Sequence, residues 1–332
     1  MTTSPENFPA RKRWSTVTIV PVGDAQHEIA RATLTLTADA RRDPATFARQ
    51  SRNAAMLLPA WLRQTAEDFM AYGDGAVVFT GVPVGPTPPT PDSVINDITR
   101  NTLLAKELAV MMSMFCHLAG FRGESDGELL QTLLPTKADR NEQTSTGSHV
   151  ELLPHTEQAF SSFRPDVLGL GCFRGDPYAV TYALSGRTLV KKLPGIELGL
   201  LREKEFFTGV DTSFVRGGAS AEVRGPMAVL SGPLGDPVLR YDGELMYSPS
   251  RRHQMALDAI KAVYLEHRSG VVLMPGDVMV IDNSRAVHGR SSFRPQWDRG
   301  DRYVCRAQGH ANPAATRRVR REGSPIIECE GS

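Results

Sequence analysis

His155-Thr156-Glu157 (residues 155–157), answered by His288 and then by Arg302, decides how the rest of this chain is read. Two residues two apart in a strand point to the same face, so His155 and Glu157 can address one point together. His288 follows the turn Pro275-Gly276-Asp277 and the apolar run Val278–Ile281, so it can arrive from a second strand. Two strands of one barrel then present two imidazoles and a carboxylate to one ion. That is the facial triad that holds non-haem Fe(II) and leaves the opposite positions open. An arginine after the distal histidine can grip a carboxylate of a co-substrate. Spacing alone does not choose among Fe, Mn and Zn, since imidazole and carboxylate suit all of them. A second His-x-Glu, His149-Val150-Glu151, begins six residues earlier, and local sequence does not reject it.

The surroundings of the motif read as strands. Short apolar or alternating runs occur at Val167–Cys172, Tyr178–Tyr182, Met227–Leu230, Val238–Tyr241, Val271–Leu273, Val278–Ile281 and Tyr303–Ala307, punctuated by Gly, Pro and Asp. Many short strands with turn signals predict a sandwich or barrel. One helix interrupts them, roughly Arg251–His267, with Met255, Ala259 and Val263 along a face.

Upstream the pattern is mostly helical. A β-branched strand is expected near Thr16–Val20, and helices over Pro44–Met70, broken at Pro59. Ala76–Thr80 reads as a buried strand, and the proline-rich segment 82–91 as irregular. Asp92–Leu118 carries the strongest helical spacing, through Leu104, Leu108, Met111 and Phe115. His117 and His267 fall in helical patterns and are expected to be ordinary surface or satisfied histidines. No glycine-rich phosphate loop and no repeated βα unit is present, which excludes a dinucleotide-binding fold.

The expected organisation is mainly β with flanking helices. Residues 1–15 form a flexible N-terminus and 16–310 a single catalytic domain. That domain has a helical layer at 43–120 and a strand core at about 145–308. Within the core, a loop-rich insert at 184–226 is placed to cover the mouth and shield chemistry from water. Residues 311–332, with the basic run 317–321, read as a solvated tail.

Bulk properties exclude several classes of partner. The chain has 332 residues, 41% hydrophobic and 23% charged, with a formal net charge of +1. That balance gives no electrostatic reason to expect nucleic acid or a membrane surface. The four cysteines, Cys116, Cys172, Cys305 and Cys329, are scattered without a CxxC pair. This argues against structural zinc or a disulfide framework and for a reducing, cytoplasmic compartment. No secretory signal or membrane-spanning run is legible.

Taken together, these motifs resemble the clavaminate synthase-like branch of the TauD-type Fe(II)/2-oxoglutarate oxygenases, which includes amino-acid hydroxylases. The resemblance rests on Gly147-Ser148, Leu153, His155-Thr156-Glu157, Ala159-Phe160 and Phe163-Arg164-Pro165-Asp166. It continues through Asp282–Arg290, Phe293, Pro295, Trp297-Asp298, Asp301-Arg302 and Arg306, covering roughly residues 70–310 in order. It implies a double-stranded β-helix (jelly roll) core. It also implies Fe(II) on His155, Glu157 and His288, rather than on the earlier His-x-Glu, with 2-oxoglutarate and O₂ as co-substrates. A glutamate at 157 argues against a halogenase, which needs that ligand position vacated for chloride.

The same resemblance assigns further roles. Arg302, fourteen residues after His288, would pair with the distal carboxylate of 2-oxoglutarate, and Thr181 would add a hydroxyl there. Arg306 would take the substrate's α-carboxylate, with Arg302 on the same face of a strand. Asp242 and Glu244 would grip a basic side chain, as in arginine-hydroxylating relatives, and Gln131 would contact the amino-acid backbone. Without the resemblance, Arg302 is a turn arginine and Asp242-Gly243 a plain hairpin turn.

The expected activity is hydroxylation of Cβ or Cγ of a free basic L-amino acid, L-arginine first, in natural-product biosynthesis. Lysine, ornithine, asparagine, or a modified or carrier-bound amino acid stays open, as do desaturation and cyclisation. A non-catalytic jelly-roll binding module and a metal-dependent hydrolase are the competing classes. The hydrolase would have no use for Arg302.

Overall fold

A computed structural model describes residues 14–328 of the chain. The expected flexibility of residues 1–13 and the state of Cys329 lie outside the described residues.

The N-terminal layer comprises β1 (Val17–Pro21), α1 (Gln26–Thr33), α2 (Pro44–Ala55), α3 (Ala60–Tyr72), β2 (Ala76–Thr80), α4 (Leu103–Met112), β3 (His117–Phe121) and β4 (Gln131–Leu133). Asp43 caps α2 by accepting from Thr46 N, with Pro44 at its first turn. Pro59 separates α2 from α3, as its missing N–H requires.

The helix expected over Asp92–Leu118 is corrected. Only Leu103–Met112 is α-helical, and His117 sits in β3. Asn96 Oδ1 accepts from the backbone N–H of both Ile98 and Thr99, a local bond that competes with a helix. The apolar spacing runs on past Met112 because the chain stays buried as it enters the sheet.

The middle of the chain gives β5 (Leu152–His155), β6 (Val167–Arg174) and β7 (Val180–Ser185). The stretch expected as a loop-rich insert holds α5 (Gly186–Lys192), α6 (Gly195–Leu200), β8 (Phe206–Thr208), α7 (Thr212–Arg216) and β9 (Arg224–Met227). Next come β10 (Leu230–Ser231), β11 (Val238–Leu239), β12 (Met246–Tyr247) and α8 (Arg251–His267). The last strands are β13 (Ser269–Val272), β14 (Val278–Asp282), β15 (Ala286–Arg290), β16 (Tyr303–His310) and β17 (Ile326–Ile327). Residues 313–319 form a 3-10 turn and β17 pairs parallel with β3, so the described part of 311–332 packs back onto the sheet instead of trailing as a tail.

Two sheets face each other. The larger runs β1-β2-β14-β6-β16-β3-β17, with β4 also on β16; the smaller runs β13-β7-β15-β5. Period-2 alternation assigns the sides of the larger sheet. In β14, Val278 and Val280 face the helical layer, and Met279 and Ile281 face the space between the sheets. α4 packs on β6 closely enough that a Cβ at Gly169 would strike Met112 and Leu108, which explains the glycine in mid-strand. α5, α6 and α8 cover the outer face of the smaller sheet. The result is a jelly roll clad in helices on both sides. Its open end carries the His-x-Glu strand. No helix among the described residues is long and apolar enough to cross a membrane.

Candidate metal centre

β5 ends on His155, and β15 runs antiparallel beside it in the register His288↔His155. The two rings stand with centroids 4.4 Å apart. Glu157 lies two residues on, and its Oε1 is 3.6 Å from His288 Nε2. His155, Glu157 and His288 are the one group of metal-ligating side chains found among the described residues, with donor atoms all within 4.8 Å of one another. The earlier motif does not compete: Glu151 pairs with Arg268, and His149 stays apart from the group.

The donors are prepared for a cation. His155 Nδ1 lies 2.8 Å from the Leu153 carbonyl, which can only accept, so that nitrogen carries the proton and Nε2 keeps its lone pair. Burial, and then the neighbouring His155, hold the pKa of His288 below the ordinary histidine value and favour neutral imidazole. Burial opposes the charge on Glu157, but Arg306 and His288 outweigh it and hold the carboxyl well below the usual carboxylate range.

The backbone of Glu157 is clamped from both sides by Asn283. Asn283 Oδ1 accepts from Glu157 N at 2.7 Å, and Asn283 Nδ2 donates to the carbonyls of Glu157 and Pro165. The sequence placed Asn283 in a family motif but gave it no task.

Thr181, expected at the co-substrate, stands on β7 beside β15. Ala183 pairs with His288 and Thr181 with Arg290, so Thr181 lies one step along the ladder from the metal. Thr181 Oγ1 is buried without a hydrogen-bond partner. Arg302 is 6% exposed and makes no hydrogen bond or ion pair with any described residue. Burial lowers its pKa, against the favourable influence of Cys172 and Asp176. A buried guanidinium without a carboxylate and an idle hydroxyl are what the distal carboxylate of 2-oxoglutarate would satisfy. The residues present therefore fit both the metal and its co-substrate.

Arg290 was missed by sequence reasoning. Its guanidinium donates to the carbonyls of Ser145 and Gly147 at 3.1 and 2.6 Å, tying down the loop that leads into the motif. Burial first, and then the charge of Arg302, push its pKa down to about 9, which places the two cations in one neighbourhood.

Arg306 stands on the opposite sheet. Its Nη1 is 3.2 Å from Glu157 Oε1, its Nε donates to Gln131 Oε1 at 2.8 Å, and its Nη2 reaches Glu124. Arg302 lies just before β16, and the register irregularity at Tyr303 and Val304 skips a residue of β6, so β16 keeps its alternation. Val304, between the two arginines at even spacing, faces the space between the sheets. The neighbours of the two arginines differ. Glu124 is a second residue the sequence did not single out. It lies in an ordinary Gly-Glu-Ser turn and acquires meaning only beside Arg306. Burial raises its pKa, and Arg306 pulls it back.

In front of these residues is a cavity of about 540 Å³, with Glu124, His155, Glu157, Asp242, Glu244 and Arg306 among its walls. The backbone around Asp242 lies against the motif strand: Thr156 N donates to Tyr241 O and Gly243 N to Pro154 O. Asp242 is 9% exposed, and its Oδ1 takes the N–H of Glu244 and Leu245, whereas the Glu244 side chain is exposed.

Comparison with known proteins follows the same lines. No family model matches the chain. The chain is 36% identical over 293 residues to an L-lysine 3-hydroxylase of Catenulispora acidiphila, covering 86% of this chain and 82% of that protein. It is 32% identical over 286 residues to an L-asparagine oxygenase of Streptomyces coelicolor, covering 82% and 83%. A solved asparagine oxygenase in complex with Fe(II), hydroxyasparagine and succinate superposes with a TM-score of 0.85 at 27% identity, over 95% of this chain and 100% of that one.

Proposed function

The chain belongs to the TauD-like amino-acid hydroxylase branch of the Fe(II)/2-oxoglutarate oxygenases, and from that premise we propose that it hydroxylates Cβ or Cγ of a free basic L-amino acid. His155, Glu157 and His288 hold the iron. When bound, the iron with 2-oxoglutarate and O₂ supplies the oxidation that puts one oxygen atom into a C–H bond, the other leaving in succinate as CO₂ is released. Arg302 and Thr181 would hold the distal carboxylate of the co-substrate.

One observation supports the choice of carbon: Arg306, the proposed seat of the α-carboxylate, touches the metal ligand Glu157. An amino acid anchored there has its first methylenes beside the metal. Glu124, buried against Arg306, would accept the α-ammonium, and Gln131 would hold Arg306 in orientation. Those contacts fix the main-chain end, and Asp242 and Glu244 offer negative charge to a side chain running along the cavity. Pinning both ends orients the target C–H without any bond from substrate to metal.

Both lysine and arginine satisfy this arrangement. Arginine matches the acidic pair; lysine is favoured by the relative at 36% identity, an L-lysine 3-hydroxylase. The test is turnover with Fe(II), ascorbate, O₂ and 2-oxoglutarate, adding each basic and amide L-amino acid separately. Succinate formed together with a product one oxygen heavier from lysine or arginine is the expected result, and their competition at equal concentration ranks the two. Turnover confined to asparagine or glutamine would overturn the assignment to a basic substrate.

A further inference from the structure

The two carboxylate oxygens of Glu157 are not equivalent. Oε1 lies 3.6 Å from His288 Nε2, on the side of the metal seat. Oε2 accepts from Gln308 Nε2 at 3.3 Å. Arg306 does not choose between them, since its Nη1 stands 3.2 Å from Oε1 and 3.4 Å from Oε2. Asn283 holds only the backbone. Among the described residues, Gln308 is therefore the side chain that bonds Oε2 and not Oε1.

The Gln308 amide is oriented by its surroundings. Gln308 stands two residues after Arg306 on β16, so both side chains lie on one face of the strand. It is 1% exposed, where an amide without partners would be costly. A carboxylate only accepts, so the amide nitrogen faces Glu157 and the amide oxygen faces away. That oxygen receives Gln158 Nε2 at 3.3 Å. Gln158 directly follows Glu157, is itself buried, and takes a φ of +53°, a left-handed backbone uncommon for a glutamine. Its own Oε1 is buried without a hydrogen-bond partner. Two buried amides thus donate in one direction, toward the carboxylate, at a cost in backbone conformation and in polar satisfaction.

We infer that Gln308, backed by Gln158, is a positioning residue that fixes the rotation of the Glu157 carboxylate. It retains Oε2, so that Oε1 alone is offered to the metal. A carboxylate free to turn can bind an ion through both oxygens. It would then take up a position that the facial arrangement otherwise leaves open for co-substrates. Held by Gln308, Glu157 occupies one position only. The side chain of this ligand is thus set from β16, and its backbone by Asn283 between β14 and β15. The inference concerns the iron site alone and does not depend on which amino acid is the substrate.

The experiment compares the wild type with Gln308→Leu, which keeps the bulk and removes the amide. A second variant, Gln158→Asn, tolerates a left-handed backbone and falls short of Gln308. Co(II) is titrated anaerobically into the metal-free protein, and the visible spectrum, whose intensity reports coordination number, is recorded at saturation. For Gln308→Leu the Kd for Co(II) should rise about tenfold or more. Its saturated spectrum should shift to that of a site with a higher coordination number. Gln158→Asn should move both in the same direction by less, and the metal-free proteins should melt close to the wild type. A weaker Kd with an unchanged spectrum would reduce Gln308 to a packing role and overturn the inference. So would an unchanged Kd in Gln308→Leu. If Gln308→Leu does not fold, Gln158→Asn decides, and an unchanged spectrum there overturns it.

Discussion

Arg306 Nη1 lies 3.2 Å from Oε1 of Glu157, so the cation proposed to hold the substrate carboxylate touches a ligand of the metal. The same guanidinium meets Gln131 and Glu124. The proposed substrate seat and the metal seat are thus one hydrogen-bonded unit, built from β4, β16, the motif after β5 and the loop after β3.

Replacing Arg306 should separate substrate binding from co-substrate binding. In Arg306→Gln, amino-acid affinity should fall about 30-fold or more, as for truncation of one partner of a buried charge pair. The affinity for 2-oxoglutarate, titrated without amino acid, should change far less. A comparable loss in both would place Arg306 in the co-substrate site instead.

Arg302 and Thr181 should show the converse pattern. Arg302→Met should raise the Kd for 2-oxoglutarate by roughly 30-fold or more. Thr181→Val should raise it by about fivefold, the worth of one hydrogen bond of about 1 kcal/mol. The amino-acid dependence at saturating 2-oxoglutarate should stay close to wild type. Steady-state titration of each substrate at a fixed level of the other checks this.

Asn283 should matter to the metal without touching it. Asn283→Ala frees the backbone of Glu157 on both sides. Metal affinity should fall about 10- to 100-fold, the usual cost of losing an outer partner of a ligand. Titration with Co(II) or Fe(II) under anaerobic conditions measures it.

Glu107 gives the stability a pH dependence. It is buried in α4 with both carboxyl oxygens unpartnered, and burial pushes its pKa from 4.5 up to about 8. The folded-state value lies above the unfolded one, so the folded chain holds this proton more tightly. Between pH 4.5 and about 8 the unfolded chain ionises Glu107 while the folded chain does not, and stability from this group falls as pH rises. Above about 8 the loss is complete. Glu107→Gln should therefore raise Tm most at pH 8 and flatten the decline between pH 5 and 8, as read by thermal melts across that range.

Much of this protein was legible from residue order alone. The alternation in β6, β14 and β16 and the punctuation around them predicted a strand core, because side-chain period follows directly from backbone geometry. The Pro59 break and the helix Arg251–His267 were visible for similarly local reasons. His155, Glu157 and His288 were identified as a group because the ligands carry their chemistry in their identity and two of them share one strand face.

Only the tertiary structure decided what those local signals leave open. Asp92–Leu118 kept its apolar spacing beyond the end of α4, since burial continues in β3 whatever the backbone does. Glu124, Asn283 and Arg290 are unremarkable where they stand in the chain, at a turn, after a strand and within a strand. Each meets a partner far away in sequence: Arg306, Glu157 and the Ser145–Gly147 carbonyls. A charged side chain does not encode which distant charge it will meet. That is fixed when the sheets close on each other, and low-dielectric burial turns the meeting into a pKa shift or a clamp.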